Sequence, residues 1–189
     1  VQCEHEQENA ELLKALLRDG DTILEEPIRQ HPILAAMHST SVNTLRIVTD
    51  RVGARIDISY VLLKTGRGEA CCDNSGCGGM FCRVDADSGT VVSDATDDFH
   101  NVFSEHPETH RPFRGLKIPH FAEALSLAVR SAALSSEIGH IGWDIAITEE
   151  GVELVEGNAD PGVMCQFLPH TPEKQGLWIY YKKLLKELK

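Results

Sequence analysis

Three residues toward the carboxy-terminal side, Asp144, Glu156 and Asn158, carry oxygens at a spacing that suits shared chemistry. They lie in two strand-like runs, His140 to Thr148 and Val152 to Gly157, joined by Glu149-Glu150-Gly151. If those three joining residues form the turn, with Gly151 in the left-handed conformation, Thr148 faces Val152 and Asp144 falls directly opposite Glu156. Alternation then puts Asn158 on the same face, one step along, and sends Trp143, Ile145 and Ile147 to the other. Opposed carboxylates with Cβ atoms about 4.5 to 5.5 Å apart repel each other, and a cation relieves the repulsion. Two carboxylates and an amide oxygen, open to water and phosphate, make a hard donor set that suits Mg2+ better than zinc. The competing reading is two solvated acids on the outer face of a hairpin, and a one-residue change in turn length would favour it by separating them.

Other residues offer weaker signals. Arg46, in the β-rich run SVNTLRIVT at 41 to 49, presents a planar fork of donors for phosphate oxygens, or else an ordinary ion pair. Asn43 in the same run is open to both readings. Glu25 and Glu26 stand before Pro27, where they suit either an adenine amino group and ribose hydroxyls or plain solvent. His106 and His110 lie in a polar loop that either faces a substrate or is simply surface. The nine histidines form no helical ligand pair, and no Ser or Cys sits in a nucleophile elbow, so covalent catalysis is not indicated. Four of the six cysteines, Cys71, Cys72, Cys77 and Cys82, cluster without the spacing of a strong zinc signature, and reduced thiols are the better reading.

The elements that must position these groups follow from periodicity. Residues 6–18 place Leu12, Leu13, Leu16 and Leu17 on one stripe before Gly20, which predicts a surface helix. Residues 22–28 predict a short edge strand interrupted by Pro27. Strands are expected over 41–49, with Val42, Thr44, Arg46 and Val48 on one face, and over 54–64. The glycine-rich stretch 66–79 reads as a loop long enough to be functional. Strands at 80–84 and 90–93 flank a hairpin turn at 85–89, and 94–117 reads as polar and irregular. Pro119 opens a helix expected to run, largely buried, to Gly139. A last helix, about 173–188, should pack through Leu177, Trp178, Tyr181, Leu184 and Leu185.

Composition narrows the classes. The chain has 189 residues, 42% of them hydrophobic, enough for one compact α/β domain. Its net charge of −11 argues against a nucleic-acid groove or an anionic membrane surface, both of which need clustered cations. No run is apolar enough to span a bilayer and the amino end is Glu-rich, so no membrane insertion and a cytoplasmic location are expected. The start at Val1, almost directly in a helical pattern, suggests a fragment lacking an upstream region.

Four stretches carry a resemblance: ILEEPIRQHP at 23–32, SVNTLRIVT at 41–49, HPETHRPFRGLKIP at 106–119 and GWDIAITEEGVELVEGNADPG at 142–162. Together they make the chain look like the carboxy-terminal part of an ATP-grasp enzyme, closest to the sugar-transfer-associated group. The resemblance implies an α+β fold with a mainly antiparallel sheet flanked by helices. Residues 1–32 would end the central subdomain, and 33–189 would form the carboxy-terminal one with its metal-binding hairpin. It further implies ATP and Mg2+ as cofactors, with Asp144, Glu156 and Asn158 as metal ligands. Glu25, Glu26, Pro27 and Ile28 would be the adenine-contacting hinge, Asn43 and Arg46 nucleotide contacts, and Arg46 the catalytic cation. Gly142 stands where some relatives carry an arginine, which shifts that charge to Arg46. The implied activity is that of a ligase fragment activating a carboxylate as an acyl phosphate for attack by an amine or other nucleophile. Its substrate would be a small or sugar-linked molecule, in surface polysaccharide synthesis, and a missing amino-terminal ATP-grasp region would be its partner. The alternative is a non-catalytic nucleotide-binding, metal-binding or structural module.

Overall fold

The computed structural model describes residues 6–18, 20, 26–162 and 177–187. Its β-branched and aromatic runs pair into one antiparallel sheet of seven strands. These are β1 (Thr44–Val52), β2 (Arg55–Thr65), β3 (Met80–Val84), β4 (Ala95–Thr96), β5 (Val102–Phe103), β6 (His140–Ile147) and β7 (Val152–Asn158). Their spatial order is β5-β4-β3-β2-β1-β6-β7, so β1 and β6 are interior and β7 is an edge. Among the described residues, four α-helices accompany the sheet: α1 (Glu6–Arg18), α2 (Pro32–Ala35), α3 (Phe121–Leu134) and α4 (Trp178–Glu187). With helices beside an antiparallel sheet, the fold is α+β, as expected.

Strand alternation sorts side chains between two unlike faces. Leu45, Ile47, Val61, Leu63, Ile145 and Ile147 point to one face and form the main core with α3. That helix contributes Phe121, Ala124, Ala128 and Ala132, a row spaced three to four residues apart whose alanines let the helix lie close on the sheet. Arg51 of β1 reaches its last turn and donates to the Ala132 carbonyl, one of the acceptors a helix end leaves open. The opposite face holds a small apolar cluster of Val48, Tyr60, Leu62 and Phe81, and beside it the charged groups. Segment 26–31 is tied to the end of β6 by the Gln30–Thr148 bridge and by a 2.7 Å bond from the His31 N–H to the Ile147 carbonyl.

Several expectations change in detail. The run 22–28 lies largely outside the described residues, and Glu26, Pro27 and Ile28 belong to no strand. The stretch 94–117 is not wholly irregular, because it supplies β4 and β5 and buries Phe113 and His106. Helix α3 stops at Leu134, short of Gly139, and buries one face only, since Leu134 is exposed. Residues 90–93 make bridges rather than a strand, although the turn before them forms, with the Asp85 N–H bonded to the Thr90 carbonyl at 2.8 Å. In α4 only Leu184 is buried, while Trp178 and Leu185 are exposed; Leu177, just before the helix, packs on the Val48, Tyr60, Leu62 and Phe81 cluster as expected, and polar contacts hold the rest. Tyr180 donates to Asp50 at 3.0 Å, and Arg55 pairs with Glu187. No helix among the described residues is long and apolar enough to cross a membrane.

Candidate functional site

The β6–β7 hairpin brings Asp144 opposite Glu156 and Gly142 opposite Asn158, but by a route the sequence did not show. Ile147 pairs with Val152, so the turn is one residue longer than the expected 149–151, and unbroken pairing from there would set Asp144 against Val155. A bulge between Ile145 and Asp144 leaves Val155 without a partner and restores the Asp144–Glu156 register. It also flips the alternation of β7, so Leu154 pairs with core-facing Ile145 and Glu156 pairs with Asp144 on the polar face. The side-chain amide of Asn158 donates to Glu156 Oε1 at 2.9 Å, so these two stand together as well.

Arg46 is the cross-strand partner of Asp144 on the adjacent β1. Its Nε donates to Asp144 Oδ1, its Nη2 to Oδ2 at 2.8 Å, and its Nη1 to the Pro161 carbonyl at 3.0 Å. Gly142 makes room for this arrangement. A Cβ there would sit 2.5 Å from Pro161 Cβ and 2.9 Å from Arg46 Cδ, so the arginine stem occupies the space over the glycine.

Lys64, at the end of β2, completes a group that sequence reasoning missed. Its Nζ lies 3.1 Å from Asp144 Oδ2, 3.1 Å from Asp73 Oδ1 and 3.0 Å from Asn74 Oδ1. Asp73 Oδ2 in turn accepts from the backbone N–H of Thr44 at 2.9 Å and from its hydroxyl. Arg46, Lys64, Asp73 and Asp144 are all 7% exposed or less, two cations against two carboxylates. Burial, the largest influence on Asp144, pushes its carboxyl up, but the Arg46 hydrogen bond and the charges of Lys64 and Arg46 together hold it below the usual carboxylate range. For Arg46, burial works against the charged form, and the hydrogen bond and charge of Asp144 outweigh it and raise the guanidinium further. A signal for Lys64 existed: alternation from Arg46, which pairs with Leu62, puts residue 64 on the same face. Asp73 and Asn74, inside a glycine-rich loop, gave none.

A cleft of about 250 Å3 opens on this group, walled by Lys64, Asp73, Asn74, Asp144, Glu156 and Ile28 among others. A second, of about 400 Å3, is lined by Glu26, Pro27, Ile28 and Arg29 on one side and by Thr148, Glu149, Glu150 and Glu153 on the other. Ile28 borders both, so the hinge residues named from sequence run from one cleft to the other. Glu25 lies outside the described residues. Asn43 is fully buried and engaged with the protein itself. Its amide nitrogen reaches the Leu34 and His38 carbonyls at 2.9 and 2.8 Å, and its backbone N–H donates to Gln30 Oε1 at 3.0 Å.

The loop histidines part company. His110 is exposed beside Glu105. His106 is fully buried, stacked on His38, with Nε2 3.0 Å from the Gly66 carbonyl, so it braces the start of the glycine-rich loop rather than facing solvent.

The donors present suit a divalent cation. Two carboxylates and a carboxamide share one strand-pair face, and Glu156 is exposed toward the cleft. Both Asp144 oxygens are already engaged by Arg46 and Lys64, so a cation would take the place that the Lys64 ammonium holds. Among the described residues no cluster of three or more His, Cys, Asp or Glu side chains is arranged to hold a metal, so any such site depends on the Asn158 amide as third donor.

Against known proteins, no curated protein and no solved structure matches the chain. The family model described as sugar-transfer associated ATP-grasp matches residues 8–176, nearly the whole length and all seven strands. The chain belongs to the sugar-transfer-associated ATP-grasp family.

Proposed function

We propose that this chain supplies the phosphate- and metal-binding part of the active site of an ATP-dependent ligase, which activates a carboxylate as an acyl phosphate for attack by an amine or other nucleophile. Family membership carries ATP-grasp character and nucleotide binding with it. The observation behind the finer reading is the convergence of Lys64, Asp144 and Glu156 on one cleft that shares Ile28 with the hinge.

On this reading the adenine lies against Glu26, Pro27 and Ile28 in the larger cleft, and the phosphates reach the smaller one. Asp144, Glu156 and Asn158 would hold Mg2+, whose chemistry there is neutralisation of phosphate charge. The residues of the chain do the rest by position. Arg46 fixes the Asp144 carboxylate with two hydrogen bonds and is itself anchored on the Pro161 carbonyl. Lys64 turns its ammonium from Asp144 Oδ2 to a phosphate oxygen and stabilises the charge that develops as a carboxylate oxygen attacks the terminal phosphorus and ADP leaves. An amine then displaces phosphate from the acyl carbon. The description of the family as sugar-transfer associated supports a sugar-linked acceptor or donor, and on this reading the product belongs to a surface polysaccharide or similar conjugate. Residues 1–32 would close the central subdomain, with a further amino-terminal ATP-grasp region completing the clamp.

Calorimetric titration of ATP into the full-length gene product, with and without Mg2+ and in Glu156→Gln, tests this reading. The expected result is saturable binding that needs Mg2+ and is lost in the variant, whose substituted side chain is exposed and leaves the fold intact. A second reading, an ion-pair network with only a structural role, is favoured by the neutral pairing of Asp144 within the protein. Nucleotide binding indifferent to Mg2+, or no binding at all, would establish it instead.

A further inference from the structure

The glycine-rich loop carries three cysteines that the proposed function does not use. Cys71 and Cys72 line the 250 Å3 cleft beside Lys64 and Asp144. Between Cys72 and Cys77 the chain doubles back tightly. The N–H groups of Cys77 and Gly79 both bond to the Asn74 carbonyl, at 2.9 and 3.1 Å, and a Cβ on Gly79 would lie 2.3 Å from the Asp73 carbonyl oxygen. A single 3-10 turn, Ser75–Cys77, closes the bend five residues on from Cys72, and the neighbouring Cys72 thiol is the largest influence on the Cys77 thiol, pushing it up. Cys77 is exposed and Cys72 half-buried, so a small reagent can reach both, whereas Cys82 is sealed inside β3.

We propose that Cys72 and Cys77 form a thiol modification site, closing to a reversible disulfide with small-molecule disulfides such as oxidised glutathione, and that this ring governs access to the cleft. The chemistry balances without a further reactant. The Cys72 thiolate attacks the reagent disulfide and releases one thiol; the Cys77 thiolate then attacks the mixed disulfide and releases the second. One reagent disulfide is reduced to two thiols while two protein thiols are oxidised to one bond. Exposed pairs in short loops are the readily reduced kind, which makes the step reversible.

The consequence follows from what the ring encloses. Asp73 and Asn74, the two loop residues that hold Lys64, both lie between Cys72 and Cys77. Closing the ring fixes them, and with them Lys64 on Asp144 Oδ2, the position a cation must take over. This part rests on the nucleotide reading above. Oxidation therefore holds the cleft in its cation-occupied form and disfavours Mg·ATP.

The test treats the full chain with oxidised glutathione and then with dithiothreitol. Differential alkylation with fragmentation mass spectrometry follows the cysteines, and calorimetry follows Mg·ATP, in wild type and Cys77→Ser. Expected are loss of two titratable thiols assigned to Cys72 and Cys77, their return on reduction, and Mg·ATP binding weakened at least about tenfold in oxidised wild type only. Alkylation of both cysteines after oxidation, or a bond to a different cysteine, overturns the site. A mapped Cys72–Cys77 bond with unchanged binding overturns the control of access. If reduced wild type fails to bind Mg·ATP, the nucleotide reading and the control of access fall together, and the thiol site is decided by the mapping alone.

Discussion

Replacing Asp144 by Asn should destabilise the fold strongly, because the carboxylate balances two buried cations as well as offering oxygens to a metal. Arg46, Lys64, Asp73 and Asp144 carry two positive and two negative charges with almost no solvent contact. Removing one negative charge leaves a net positive charge in a poorly solvated place. Breaking a buried pair in this way costs roughly 3–5 kcal/mol. Asn keeps one oxygen for Arg46 and Lys64 keeps Asp73, so the lower end, about 3 kcal/mol, is expected. With a urea dependence of about 2 kcal/mol per molar, the unfolding midpoint should fall by about 1.5 M. Adding Lys64→Met removes the excess cation, and the double variant should regain about 1.5 kcal/mol relative to additivity. Exposed Glu156→Gln should stay within about 0.5 kcal/mol of wild type. The assay is equilibrium urea unfolding followed by circular dichroism. An Asp144→Asn midpoint equal to that of wild type, or a double variant that is simply additive, would refute a charge-balanced cluster. The same reasoning makes Glu156→Gln the cleaner probe of nucleotide binding, since loss of binding in Asp144→Asn mixes chemistry with unfolding.

Deleting Val155 should preserve Mg-dependent nucleotide binding, because the bulge only absorbs one residue and its removal lets Glu156 follow Leu154 into register opposite Asp144; calorimetry showing lost binding in a folded protein would contradict this. Gly142→Ala should cost about 1–3 kcal/mol in unfolding experiments, since its Cβ overlaps Pro161 and Arg46, and an unchanged melting temperature would mean that the close approach is not real. Stability should fall with pH in two stages. Burial, first among its influences, holds the His106 imidazole below its usual value, so the stability it contributes is complete above about pH 6.5 and declines as pH falls toward its folded value. Burial raises Asp50, but hydrogen bonds from His140 and Ser59, the His140 charge and the Tyr180 hydroxyl outweigh it and depress the carboxyl. Asp50 and Asp144 thus contribute stability present above about pH 4 and lost below it as each is protonated. Thermal melts across pH should show His106→Gln removing the shallow stage and Asp50→Asn flattening the steep one, and profiles unchanged in both variants would contradict the assignment.

What the sequence determined by itself was local and periodic. Alternation over SVNTLRIVT and along 140–147 identified strands and the face each side chain takes, because strand geometry has a period of two wherever no bulge interrupts it. The placing of Arg46 between the core-facing Leu45 and Ile47 was therefore legible, whereas the pairing of Asp144 with Glu156 was reached from a turn and a register that both differ from those observed. Only the tertiary structure decided how that pairing is reached, since a turn one residue longer and a compensating bulge cancel in register, and the bulge flips the alternation of β7 between Leu154 and Glu156. Lys64 is placed by strand alternation once β1 and β2 pair, but Asp73 and Asn74 join the site because the β2–β3 loop folds back over β1, a contact between segments far apart in sequence that no local pattern encodes. The burial of His106 has the same origin: a polar loop turns inward when two imidazoles can stack and bond to the backbone of a neighbouring loop. Periodicity fixes what a side chain faces within its own strand, whereas what meets it there depends on loop paths whose free energy is settled by the whole packed chain.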